Sequence, residues 1–144
     1  MTWFTKNTVH KATELAEQCR VESETYYRSG SYHCAEAVLA TIRNHFRPDL
    51  PSEVTHMASG FGGGSGSGCI CGAVSGATIG LGLVLQNDKK RIIHMTRELH
   101  TWFKEKYGVT CCKTIRATHP KDICPVLTGE VAGKLAEMLS RERP

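Results

Sequence analysis

Seven of the 144 residues are cysteines, at positions 19, 34, 69, 71, 111, 112 and 124, and they are the residues whose type and spacing could do chemistry. Thiolate is both a nucleophile and a soft metal ligand, and four thiolates suit an iron–sulfur group or a tetrahedral zinc. No Cys-x-x-Cys pair occurs, so the spacing is neither that of a zinc ribbon nor that of a ferredoxin. Cys69-Ile70-Cys71 is instead a Cys-x-Cys, which can chelate one metal or close a strained, labile disulfide. Adjacent Cys111 and Cys112 do the same less easily, because a vicinal bridge distorts the backbone between them. Cys19 lies on an apolar helix face and reads as a small buried hydrophobe.

Composition narrows the setting. The chain carries 18 Lys and Arg against 14 Asp and Glu, a net charge of +4, with the basic residues scattered rather than in runs. No nucleic-acid footprint is expected from that distribution. The first twenty residues contain no apolar core of a secretory leader, and Cys69 to Leu85 falls just short of the ~18 apolar residues of a membrane span. A cytoplasmic setting is expected. An odd number of thiols in a reducing compartment argues for metal binding or thiol chemistry over a disulfide framework.

The elements that must position these thiols read as helices, about five of them in one all-α domain spanning 1–144. Helical spacing predicts segments over Asn7–Arg28, ended by Gly30, and over Tyr32–Phe46, capped by Ser31. A short helical turn opens at Ser52. From Cys71 to Leu85, Gly72, Gly76 and Gly80 recur every four residues and predict a smooth helix face that another backbone approaches closely. Asp88–Tyr107 follows with Ile92, Ile93, Thr96, Leu99, Trp102 and Phe103 inward and Gly108 as C-cap, and Thr128–Ser140 closes the chain. On this plan Cys34, Cys71 and Cys124 stand at or just before helix N-termini, where backbone amides and the dipole favour thiolate. His33 and His119 are the histidines placed to activate a thiol.

Gly64, Gly66 and Gly68, with their serines, superficially resemble a phosphate cradle. What precedes them reads as helical rather than as a strand, and the Gly-Lys-Ser/Thr of a P-loop is missing. Asp88 stands at the loose distance of a ribose-binding acid. A small-ligand or nucleotide-binding helical domain therefore stays as one alternative, and a metal-free thiol–disulfide protein cycling Cys71 with Cys69 or a distant cysteine as another.

Cys34, the run Cys71-Gly72-Ala73-Val74-Ser75-Gly76, Cys112 and Cys124 stand in the order Cys, Cys-Gly-Ala-x-x-Gly, Cys, Cys. This resembles the C_GCAxxG_C_C family of small bacterial and archaeal domains described as redox-active, a likeness that covers most of the chain. The resemblance implies a redox or metal role for Cys34, Cys71, Cys112 and Cys124, with Cys69 and Cys111 as additional thiols beside two of them. It further implies a centre of iron–sulfur type, as in the similar domain of split-Soret cytochromes c, with zinc the other metal considered. Haem does not carry over, because no Cys-x-x-Cys-His is present. Genes of the family often neighbour transporters, which makes a membrane-transport system the expected redox partner; a homodimer is among the assemblies it allows. In this picture Gly64, Gly66, Gly68, Gly72 and Gly76 form the loop and helix that carry the site, with loop amides donating to Cys69 and Cys71.

Overall fold

The computed structural model describes residues 3–141; the outermost residues of the expected 1–144 domain lie outside the described ones. Six α-helices follow one another: α1 Trp3–Arg28, α2 Cys34–Phe46, α3 Gly72–Leu85, α4 Lys89–Tyr107, α5 Cys112–Thr118 and α6 Ile123–Arg141. A 3-10 helix, Ser52–Phe61, and a wide turn, Gly64–Gly68, lie between α2 and α3. Among the described residues there is no strand, only an isolated antiparallel bridge between Ile70 and Cys111. The all-α expectation holds, with seven helices in place of about five once the 3-10 helix is counted.

The additional helix is α5, in a stretch where helical spacing predicts no element. At seven residues it is too short for a periodic signal, and Ile115 is its apolar anchor. The last helix also starts five residues earlier than Thr128. Pro125 sits in the first turn of α6, where a missing amide proton costs no helical hydrogen bond. Likewise the N-cap of α2 is His33 rather than Ser31, and the Glu36 carboxylate accepts from the His33 amide at 3.2 Å.

The core is shared by every α-helix. Val38 and Ile42 of α2, Val74, Ala77 and Leu81 of α3, Leu99 and Phe103 of α4, Ile115 of α5, and Leu135 and Leu139 of α6 are all buried in one cluster with Cys19 of α1. The inner stripe of α4 is Met95, Leu99, Phe103 and Tyr107, rotated from the expected one. Ile93 is 50% exposed, and Trp102 lies at the edge with the Lys106 and Lys134 ammonium groups 5.5 and 5.9 Å from its ring centroid. Asp88 caps α4, accepting from the Arg91 amide at 3.3 Å; it serves a helix end rather than a ribose.

The small-residue face of α3 packs as its spacing predicts. An added Cβ at Gly76 would lie 2.8 Å from the Ala35 Cα and closer still to the Ala35 carbonyl oxygen, so α2 and α3 touch backbone to backbone there. One turn earlier, a Cβ at Gly72 would overlap Cys34 Sγ and stand 2.8 Å from the Phe61 carbonyl oxygen. These two absences of a side chain let the starts of α2 and α3 cross, and they bring Cys34 beside the helix that Cys71 caps.

Candidate functional site

At that crossing lies a cavity of about 740 Å³. Its wall includes the four thiols Cys34, Cys71, Cys112 and Cys124, joined by Tyr27, His33, Arg116 and Lys121. Each cysteine is set by the start of a helix: Cys34 is the first residue of α2, Cys71 the N-cap of α3, Cys112 the first residue of α5 and Cys124 the second of α6. The placement expected for three of them thus extends to a fourth through the helix that sequence did not reveal. The positive ends of α2, α3 and α6 face one volume, an arrangement that favours anionic occupants.

Burial works against that field. It pushes the Cys71 thiol up to about 12 from an ordinary value of about 9, and the neighbouring Cys34 adds to the rise. The Ala73 and Val74 amides at the start of α3 pull the other way, as do the Gly63 and Ala35 amides on Cys34, whose thiol burial also raises. Burial likewise raises Cys112, helped by Cys124 and opposed by the Arg116 guanidinium. The Tyr27 hydroxyl bonds to Cys124, and burial followed by that thiol raises the phenol to about 12. Without a cation these groups are therefore neutral near pH 7.

A pH dependence follows for metal-free protein. Folded-state values raised above unfolded ones mean stability that is complete below about pH 9 and lost as pH climbs toward 12, because the unfolded chain then releases protons that the folded one retains. The loss should approach roughly 1.4 kcal/mol per pH unit for each deeply buried thiol. Thermal melts of metal-free protein between pH 7 and 11 test this; a melting temperature unchanged above pH 9 would show that the thiols are solvated.

The glycine loop does a different job from the one expected. Its amides do not serve Cys69 and Cys71: the loop amide on a cavity thiol is that of Gly63, on Cys34. Gly62 and Gly63 line the cavity, whereas Gly64, Gly66, Gly68 and Gly76 do not. Gly64, at φ +68°, closes the turn by accepting from the Cys69 amide at 2.9 Å, and an added Cβ there would lie 2.8 Å from Cys112 Cβ. Gly66 stands in open space and Gly68 faces Lys113. The loop is thus a tight turn that admits Cys112, and what precedes it is a 3-10 helix rather than the strand a dinucleotide cradle needs.

Cys69 is exposed, Cys111 half-exposed, and neither lines the cavity. Hydrogen bonding by Thr114 draws the Cys111 thiol below its ordinary value. His33 lines the cavity, but His119 does not; its Nδ1 bonds the Ile115 carbonyl oxygen at 3.1 Å and its ring packs on Tyr107. Cys19 is fully buried in the core, where burial raises its thiol to about 12. Tyr27, Arg116 and Lys121 were missed by sequence reasoning, since none stands in a motif; only Arg116, four residues after Cys112 on a helix, had a spacing that could have placed it.

The donor set fits a soft metal in chemistry: four thiols, helix N-termini and a nearby guanidinium to offset the charge of ionised sulfur. The spacing is another matter. Among the described residues no three or more His, Cys, Asp or Glu side chains are grouped so as to hold a single ion.

Fold and site together define an all-helical protein with cysteines gathered at helix starts around one cavity. The chain belongs to the C_GCAxxG_C_C family, whose model matches residues 32–138 and carries the description "Putative redox-active protein". No curated protein and no solved structure matches it. No helix among the described residues is long and apolar enough to cross a membrane.

Proposed function

We propose that this redox-family protein holds a polynuclear iron–sulfur-type centre on Cys34, Cys71, Cys112 and Cys124 and serves in electron transfer or redox sensing. The observation that supports the reading is the meeting of four thiols, each at a helix start, around one cavity. When bound, such a group supplies reversible one-electron chemistry. The chain's own part is to provide four sulfur ligands, to offset their negative charge with the starts of α2, α3 and α6 and with Arg116, and to donate the Tyr27 hydroxyl to Cys124. Burial sets the potential by withholding water from the centre.

Burial also speaks against thiol–disulfide exchange among these four, since exchange needs thiolate and burial holds Cys34, Cys71 and Cys112 as thiols. A redox partner in a membrane-transport system is a proposal that rests on the family resemblance, and a cytoplasmic setting is one that rests on the sequence composition. Protein purified without oxygen tests the central claim by absorption spectroscopy with iron, zinc and sulfide analysis. Visible charge-transfer bands with iron and sulfide are expected. Zinc alone would make the site structural, and a colourless, metal-free protein would overturn the reading.

A further inference from the structure

Cys71 and Cys112 share a wall of the cavity built from two paired segments. The Cys71 amide donates to the Thr110 carbonyl oxygen at 2.8 Å and the Cys112 amide to the Cys69 carbonyl oxygen at 2.5 Å, and Ile70 stands opposite Cys111 on the antiparallel bridge between these bonds. Exposure divides along the wall. Cys71 and Cys112 are buried and line the cavity, whereas Ile70 is 45% exposed, Val109 37% exposed and Cys111 half-exposed, and none of these three lines it. One residue along each segment therefore takes the chain from solvent to a cavity thiol. Charge on this outer side has one sign, since neither 60–87 nor 107–120 contains an acid. Lys113 is exposed, its Cβ 3.2 Å from where a Cβ at Gly68 would lie, and it is in no ion pair among the described residues. Arg116 follows one turn on along α5. Elsewhere the surface cations Arg20, Arg47, Lys106 and Arg141 each hold a carboxylate.

We propose that the outer side of this wall, Ile70 and Val109 flanked by Lys113, is the docking face for an acidic one-electron carrier protein. The inference rests on the redox centre proposed above. One electron passes from the reduced carrier to the centre, which is reduced as the carrier is oxidised, and no atom is transferred. The route is short, because Ile70 and Cys111 are each bonded to a residue that would supply a ligand. Electron-transfer encounters bury little surface, below about 1,200 Å², so a few apolar side chains and one or two charges are enough to form one. Exposed apolar residues favour a macromolecule over a small anion, which would leave Ile70 and Val109 uncovered. The cations beside them select an acidic partner and speed its approach.

A flavodoxin, itself an acidic one-electron carrier, is the probe, mixed with the anaerobically purified protein at about 0.01 M ionic strength, where the Debye length is roughly 30 Å. A water-soluble carbodiimide joins carboxylates to lysine amines in contact, and mass spectrometry maps the links. The expected link is from Lys113, and it should vanish at about 1 M ionic strength, where the Debye length falls to roughly 3 Å. Lys113→Glu and Ile70→Glu should each weaken binding at least about tenfold in a calorimetric titration, with metal content and melting temperature as in the unsubstituted protein. Lys90→Glu makes the same charge change in the first turn of α4, roughly 20 Å away at the far end of α3, and should alter binding less than about twofold. Links confined to other lysines, no binding at low ionic strength, or equal weakening by Lys90→Glu would each overturn the docking face. Metal-free protein that still links through Lys113 would sink the centre and keep the face, and loaded protein that links elsewhere would do the reverse.

Discussion

Cys71→Ser should abolish metal binding at the proposed centre and lower the melting temperature of the loaded protein. Cys71 is the most deeply set of the four cavity thiols, 5% exposed, and caps the helix that crosses α2. Serine preserves the cap but replaces a soft anionic ligand with a hard, neutral one, which iron and zinc bind poorly at such sites. Metal binding is coupled to folding wherever the ligands come from separate elements, and in the proposed centre α2, α3, α5 and α6 would each contribute one. Near-complete loss of bound metal is expected, with a fall of roughly 10 °C, corresponding to a few kcal/mol for a domain of this size. Cys19→Ser is the matched control. It also removes a buried thiol, so it should cost about 1–3 kcal/mol for the hydroxyl it buries, yet leave metal content unchanged. Metal retained by Cys71→Ser would remove that residue from the ligand set.

The second large effect is expected at Gly76, where no ligand chemistry intervenes. Even alanine would set its Cβ 2.8 Å from the Ala35 Cα and 2.9 Å from the Ala35 carbonyl carbon, and backbone atoms cannot rotate away as a side-chain tip can. The helices must separate, costing about 3 kcal/mol or more, and leucine should prevent native packing altogether. Separation also moves Cys34, next to Ala35, away from the cavity. Gly82→Ala gives the contrast within the same helix. Nothing lies within 4 Å of its added Cβ, so the higher helix propensity of alanine should raise stability by about 0.5–1 kcal/mol. Urea denaturation of the two variants would check both signs. A fully stable Gly76→Ala would mean that α2 and α3 do not meet there.

The Cys-Gly-Ala-x-x-Gly motif thereby acquires a physical meaning residue by residue. Cys71 offers a thiol at a helix start, and Gly72 clears room for the thiol of Cys34. Ala73 is fully buried, too confined for anything larger without repacking, and Gly76 admits the backbone of α2. The spacing of four between the glycines is the pitch of the helix, so both clearances fall on one face.

What the sequence determined unaided was local. Helix ends marked by Gly30 and Gly108, the start of a helix at Asp88 and the smooth face of α3 follow from conformational cost and from the 3.6-residue period, which neighbouring residues settle among themselves. The family likeness ordered the four cysteines, but an order along the chain does not bring them together. Only the tertiary structure gathers Cys34 and Cys124 into one wall, because that depends on α6 packing beside α1 and α2 and on two missing side chains at a helix crossing. The rotated face of α4, the short α5 and the recruitment of Tyr27, Arg116 and Lys121 belong to the same class. Each is decided by which surface happens to be opposite, and no window of sequence contains that surface.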